Sequence, residues 1–523
     1  MKKIRRLRNG MILAMVIMIL AGCSTGEKGV KTEEGKTKGT GASSEDTLVI
    51  ARLSDAESLD HHFMSTINAA SVTHGKIYEG LVGRDKNAEL QPLLAESWEQ
   101  LDDTTWEFKL RQDVVFHDGT DFTADAVKTT FDRVLDPAVG SPKAGVFSMV
   151  EEVKVIDEYT VQFLLSEPYA PLLSILASHE SGIFNPKAIE KFGGDDIQEP
   201  SGTGPFKFES WTPGQKIVLN RNDDYWGTPA KVSRVEFEVV PEESTRTSMV
   251  ELGEAHIAEP LSISQMDAVN NSQNSEVYQS EGFGTEYITF NVEKEPFNDV
   301  RVRKAVSHAI EMDAIRKGVY NNVGGEANSL LGTKVFGYHE GLEIYDYNLS
   351  EAKRLLAEAG YSDGLEIKLT TMDSKERIAL AEVVQSQLKG IGIKVKIEVM
   401  EYGTFVETVH SGNTEMILIS WRNVTGDADY NQYNLMHSSS KGSSGNTSFY
   451  SNPEVDRLVE DARKESDSEK RLEMYAKAQE IEMEDAVYIP VRIIENVAVI
   501  SKDVSGFEIS PSGYLELNNV SVK

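Results

Sequence analysis

Apolar residues recur along this chain with two periods. Thr47–Leu53 (TLVIARL) is a nearly continuous apolar strand, and Trp106–Leu110 and Thr160–Leu164 alternate with the period of two expected of antiparallel strands. Ile393–Val399 alternates likewise, and Met416–Ile419 is a short apolar strand. Elsewhere the period lengthens to that of a helix. Thr123 caps a helix that runs to Leu135 and stops at Asp136-Pro137. Asp299 opens a second, whose stripe is Val302, Ala305, Val306, Ala309 and Ile310, with Arg301 and Arg303 expected on its exposed face. Asn348 with Glu351, and Asp373 with Glu376, form capping boxes for helices closed by Gly360 and Gly390. Asn452-Pro453 starts a further helix with proline at its first position. Strands and helices alternate after about residue 286, which predicts an α/β lobe around a mixed sheet.

The N-terminus departs from these rhythms. Lys2, Lys3, Arg5, Arg6 and Arg8 precede the apolar run Met11–Leu20. That run is far short of the roughly 20 residues that cross a bilayer as a helix, so residues 1–22 read as a signal peptide. It ends in Leu20-Ala21-Gly22-Cys23, which resembles a bacterial lipobox with Cys23 as the lipidated mature N-terminus. Cys23 is the only cysteine, so no internal disulfide is expected and a core must hold the fold. Residues 24–45 are rich in Gly, Lys, Thr, Glu and Ser and read as a tether, with a reach of about 25 Å. The remaining length exceeds what one core usually supports, so two or three lobes are expected.

Charge narrows the partners. The chain carries −31, and about −36 once the five leader cations are removed. A surface this acidic repels nucleic acid and disfavours adhesion to anionic lipid, which leaves the covalent anchor as the membrane attachment. Catalytic signatures are missing: H-E-x-x-H, G-x-S-x-G, a phosphate-binding loop and G-x-G-x-x-G do not occur, and the lone cysteine lies in the lipobox. Neither an enzyme nor a cofactor is expected. His61-His62 suggests a metal only superficially, because adjacent side chains diverge and no third ligand lies nearby in sequence.

Seven segments in one order carry a family resemblance: Ala95-Glu96-Ser97-Trp98; Phe116-His117-Asp118-Gly119-Thr120 with Phe122–Val127; Gly202-Thr203-Gly204-Pro205-Phe206; Asn222–Gly227; Phe297–Ala305; Tyr450–Asp456; and Tyr488-Ile489-Pro490. Together they resemble the peptide/nickel class of bacterial extracellular solute-binding proteins, family 5, over essentially the whole mature chain. Each segment also has a scaffold reading: His117-Asp118-Gly119 makes a turn, and Trp226 is a core aromatic. The resemblance implies a two-lobed, periplasmic-binding-protein-like α/β clamp of type II with three domains, mixed sheets and a two-strand hinge near Tyr287–Asn291 and Ala486–Pro490. Domain I would comprise 46–84, 200–285 and 488–523; domain II, 85–199; domain III, 286–487, with ligand held between I and III by hinge closure. It further implies a monomer on the outer face of the cell membrane that captures short peptides and hands them to an ABC permease. Carriage of nickel or haem, or reception of a peptide pheromone, is the alternative within the family.

One stretch bears on the ligand: Ser420-Trp421-Arg422-Asn423-Val424-Thr425-Gly426-Asp427-Ala428-Asp429-Tyr430. In members that bind ordinary peptides, an aspartate three residues after this tryptophan clamps the ligand's α-ammonium; here that position is Val424. The run is similar instead to the branch associated with glutathione import. The resemblance therefore implies a ligand site of Trp421, Arg422, Asn423, Thr425, Gly426, Asp427, Asp429 and Arg377. Asp427 or Asp429 would take the amine, and Arg422 and Arg377 the carboxylates.

Overall fold

The computed structural model describes residues 46–442 and 445–523; the leader at 1–22, Cys23 and the tether to residue 45 lie outside the described residues. The strands that matter here are β1 (Thr47–Arg52), β2 (Ala95–Asp102), β3 (Thr105–Leu110), β4 (Val150–Asp157), β5 (Thr160–Leu165), β6 (Phe206–Thr212), β7 (Lys216–Arg221), β8 (Arg234–Val239), β9 (Ile257–Glu259), β10 (Ser275–Phe290), β11 (Leu365–Met372), β12 (Ile393–Met400), β13 (Met416–Arg422) and β14 (Tyr488–Ser501). The main helices are α1 (Ala124–Leu135), α2 (Glu243–Leu252), α3 (Val300–Ala309), α4 (Leu349–Glu358), α5 (Lys375–Lys389), α6 (Pro453–Lys464) and α7 (Ser468–Glu484).

Ten strands form one mixed sheet in the order β12-β11-β13-β10-β14-β9-β1-β8-β7-β6. On one side β1 runs parallel to β8 and β9, and on the other β11 runs parallel to β12 and β13. Between these halves lie β10 and β14, antiparallel and 16 and 14 residues long. Strands average about 5–6 residues, so each of these two is long enough to serve both halves. Their register shifts between Glu281 and Thr285 and again between Glu286 and Tyr287, beside the stretch expected as hinge. A separate antiparallel sheet, β2-β3-β5-β4, lies within the segment inserted between β1 and β6.

Each part buries its own apolar set. Leu48, Ile50, Leu219, Val235 and Phe237 pack in the β1 half. The stripe Val302, Ala305, Val306 and Ala309 packs with Leu369, Leu380, Val384 and Leu418 in the β11 half. Phe108, Phe131, Phe163 and Leu172 fill the inserted unit. Each of the Val, Leu, Ile and Phe side chains contributes about 1.5–3 kcal/mol when fully buried. The inserted unit is fixed to the β1 half by a buried pair, Arg133 with Asp60 at 2.7 Å, and by His117 N–H donating to Gly202 O at 2.9 Å.

The motif segments build scaffold. Glu79, buried, accepts from Thr203 Oγ1, Tyr225 Oη and Trp226 Nε1, so one carboxylate ties two of the family segments together. Burial pushes that carboxyl up from its ordinary value, against the pull of the three donors. Gly119 takes φ +81° and the Asp118 carboxylate accepts from Thr120 N–H, as a turn there requires.

Local details differ from expectation in two places. The cap of α5 is Ser374, because the Asp373 N–H is still bonded to Met400 O in continuation of the sheet. Arg303 is buried, only 6% exposed, since its guanidinium donates to the carbonyls of Phe297 and Asp485 that would otherwise lie unpaired beneath α3.

Candidate functional site

Strand β13 runs three residues beyond its apolar start. Residues 416–422 pair with β10 from Phe290 back to Gly284, and this extension fixes where the ligand-loop side chains point. Strand side chains alternate between faces. Ser420 and Arg422 therefore share the face of Met416 and Leu418, toward α5, while Trp421 turns to the other face with Ile417 and Ile419. Trp421 packs there with its ring tilted at 35° and 5.7 Å from that of Tyr430, its Nε1 buried and without a hydrogen-bond partner among the described residues.

Toward α5 lies a cleft of about 630 Å³ lined from both halves of the sheet. Five arginines reach it: Arg52, Arg246, Arg377, Arg422 and Arg492; five glutamates do so as well: Glu243, Glu259, Glu286, Glu376 and Glu495. They are not evenly placed. Glu286, 3% exposed, is shared by Arg492 at 2.9 Å and Arg377 at 3.5 Å. Arg377, in the first turn of α5, also donates to Ser420 Oγ at 2.6 Å. Arg52 pairs with Glu259 at 3.0 Å. Arg246, buried, is held by the carbonyls of Val240, Pro241 and Pro260. Arg422 donates to Asn496 Oδ1 at 2.9 Å and meets no carboxylate among the described residues; burial pulls its ionisation below the ordinary arginine value. Glu243, Glu376 and Glu495 are half-buried. The floor around Glu286, where the half-buried Arg377, Arg422 and Arg492 gather, is thus cationic, and the rim is anionic. A guanidinium partly withdrawn from water without an anion is costly, so the floor is suited to ligand carboxylates.

The loop after β13 serves a different purpose from the one expected of its aspartates. Asn423, fully buried, accepts from the N–H groups of Thr425 and Gly426 and donates to Asp427 O, which folds the loop on itself. Gly426 takes φ +70°, a conformation that favours glycine, and a Cβ there would sit 2.9 Å from the Arg84 guanidinium carbon, so that side chain would have to shift. Asp427 caps the short helix Ala428–Asn431 and is held by Arg471 Nη2 at 2.9 and 3.1 Å. Asp429 is held by Arg463 at 2.8 and 3.1 Å. Both carboxylates are buried, and neither lines the cleft of Arg377 and Arg422. Burial raises Asp427 from its ordinary value while Arg471 opposes the shift.

The structure therefore brings Arg377 and Arg422 together and separates them from Trp421, Asn423, Thr425, Gly426, Asp427 and Asp429. Sequence reasoning missed Arg52, Arg246, Glu286 and Arg492. They come from segments hundreds of residues apart, and only the pairing of β10 with β14 puts Glu286 beside Arg492. Among the described residues no group of three or more His, Cys, Asp and Glu side chains is placed to hold a metal, and no helix is long and apolar enough to cross a membrane. His61 and His62 are buried against each other at 4.7 Å and against Phe184.

Comparison with known proteins places this architecture. Residues 89–443 match the family described as bacterial extracellular solute-binding proteins, family 5 middle. The glutathione-binding protein GsiB of Salmonella typhi is 30% identical over 489 residues, covering 91% of this chain and 94% of that protein. The periplasmic binding protein DppA of Helicobacter pylori, solved with the peptide STSA, is 30% identical, covers 91% of this chain and 98% of its own, and superposes with a TM-score of 0.76. HbpA2 of Haemophilus parasuis, 28% identical, covers 91% of this chain and all of its own with a TM-score of 0.82. By fold, by the cleft between the two halves of its sheet and by sequence match, the chain belongs to the family 5 bacterial extracellular solute-binding proteins.

Proposed function

We propose that this protein captures short peptides, with a glutathione-like dicarboxylate as the best-fitting ligand, and delivers them to the membrane subunits of an ABC importer without chemical change. The carrying observation is Arg422, a half-buried cleft cation with no carboxylate partner among the described residues, beside two arginines that share the single carboxylate of Glu286. Arg422 and the one charge by which Arg377 and Arg492 exceed Glu286 suit two ligand carboxylates, and the rim glutamates Glu243, Glu376 and Glu495 suit an ammonium. Likeness to glutathione- and peptide-binding relatives supports the same reading. In this reading 46–84, 200–285 and 488–523 form domain I, 85–199 domain II and 286–487 domain III, ligand lying between I and III. The lipobox pattern supports Cys23 as a lipid anchor on the outer face of the membrane.

Calorimetry with reduced glutathione, its diethyl ester and alanyl-alanine tests the ligand. Glutathione is expected to bind the parent most tightly, and Arg422→Ala to weaken it by about 2–5 kcal/mol while changing the ester less. Equal binding of acid and ester by the parent overturns the dicarboxylate reading. For the anchor, Cys23→Ala is expected to release the protein from the membrane fraction into the medium; retention refutes it.

A further inference from the structure

The two aspartates of the ligand loop, each already matched to an arginine of its own half, also face the inserted unit. Tyr169 Oη donates to Asp429 Oδ2 at 3.1 Å, and Ser174 Oγ to Asp427 Oδ2 at 3.5 Å. Around them Ala170 N–H donates to Arg463 O at 2.8 Å, Lys464 pairs with Glu167 at 3.0 Å, and the Arg84 guanidinium bonds Thr425 O. Tyr169 and Ser174 are buried at 7% exposure each. Every one of these bonds joins residues 84–174 to residues 425–464. The inserted unit itself is bound to the β1 half through Arg133 and Asp60, so whatever separates the two halves of the sheet must break this set.

We propose that Tyr169 and Ser174 are positioning residues that hold the ligand loop in the closed arrangement, with Asp427 and Asp429 as their acceptors. Arg471 and Arg463 pair with the two carboxylates inside their own half, so each can stay buried while offering an oxygen across the gap. The loop follows directly on Arg422, the cleft cation, so the eight residues 422–429 carry a ligand contact at one end and the inter-half contact at the other. Affinity then depends on the hydroxyls through the population of the closed state, not through ligand contact. The inference takes solute capture as given and does not depend on which solute is captured.

The test uses the full mature chain carrying Cys23→Ala, with Tyr169→Phe and Ser174→Ala made singly and together. Small-angle scattering of the ligand-free protein is expected to give a larger radius of gyration for the double variant than for the parent. Stopped-flow binding is expected to show dissociation faster by about five- to fifty-fold, association little changed, and the same factor for reduced glutathione and for alanyl-alanine. A parent-like radius in the ligand-free double variant overturns the proposal. So does a loss that differs between the two probes, since that would make the hydroxyls ligand contacts. If the parent fails to bind glutathione, the ligand assignment falls, and the ligand-free scattering still decides the role of Tyr169 and Ser174.

Discussion

Glu286 on β10 and Arg492 on β14 stand opposite each other in register, and their side chains meet at 2.9 Å on the floor of the cleft. The pair sits at the register break of the two strands that join the halves of the sheet, and Arg377 reaches the same carboxylate from α5. One acid thus binds the crossing strands to the half that carries the ligand loop. The Arg492 guanidinium also lies over the ring of Tyr320 at 4.1 Å, which fixes its plane.

Removing that acid strands two arginines whose side chains are only 12% and 13% exposed. Glu286→Gln is expected to cost about 3–5 kcal/mol of stability, the usual penalty for breaking a buried pair by removing one partner. Glu286 itself is 3% exposed, so 1 M salt is expected to reduce the loss only in part. Urea unfolding at low and high salt checks both statements; a variant as stable as the parent refutes them.

A sequence-based role for Asp427 as ammonium acceptor and its observed pairing with Arg471 give opposite results for one substitution. Asp427→Asn is expected to lower stability by about 3–5 kcal/mol, because Arg471 loses its partner in a buried site. The ratio of affinities for glutathione and N-acetylglutathione is expected to stay at the parent value. Collapse of that ratio in the variant, measured by calorimetry, would restore Asp427 to the ligand.

Glu482 lies fully buried with Oε1 unpartnered among the described residues and Oε2 only 3.4 Å from Gln432 Nε2 and Tyr488 Oη. Burial pushes its carboxyl up to about 8. A folded-state value above the unfolded one means that the folded protein keeps a proton the unfolded chain has released. Stability is then full below about pH 4.5, falls as pH rises from there, and stops falling above about pH 8. Glu482→Gln is expected to match the parent at pH 5 and exceed it by a few kcal/mol at pH 9. Urea midpoints that differ equally at the two pH values would exclude this origin.

Gly202 tests the scaffold reading of the family segments. A Cβ there would lie 2.0 Å from Ile77 O, a collision with backbone, whereas a Cβ at Gly119 meets nothing within 4 Å and suffers only from φ +81°. Gly202→Ala is expected to cost 3 kcal/mol or more, on the order of the upper range for overpacking, and Gly119→Ala about 1–2 kcal/mol. Thermal melts compare them directly. The reverse order would mean that Gly202 serves something other than close approach of two chains.

Fold class, most caps and five of the strands were legible because they depend on neighbours in sequence: Asp299, Asn348 and Asn452 each accept from a backbone N–H two or three residues on, and the stripe from Val302 to Ala309 is buried as its period requires. Arg422 was proposed from the run after Trp421 and Arg377 from the first turn of the helix after Asp373, and both line the cleft. What the sequence left open was decided by pairing over long separations. The length of β13 is set by β10, and that length sends Arg422 to the cleft and Trp421 away from it. The fate of Asp427 and Asp429 is set by Arg471 and Arg463, which α7 and α6 deliver from 44 and 34 residues downstream. A carboxylate near a ligand strand in sequence has no preferred partner until the chain folds; tertiary structure gave these two to arginines and to the hydroxyls of Tyr169 and Ser174, because a buried charge takes whichever counter-charge the fold brings within hydrogen-bond reach.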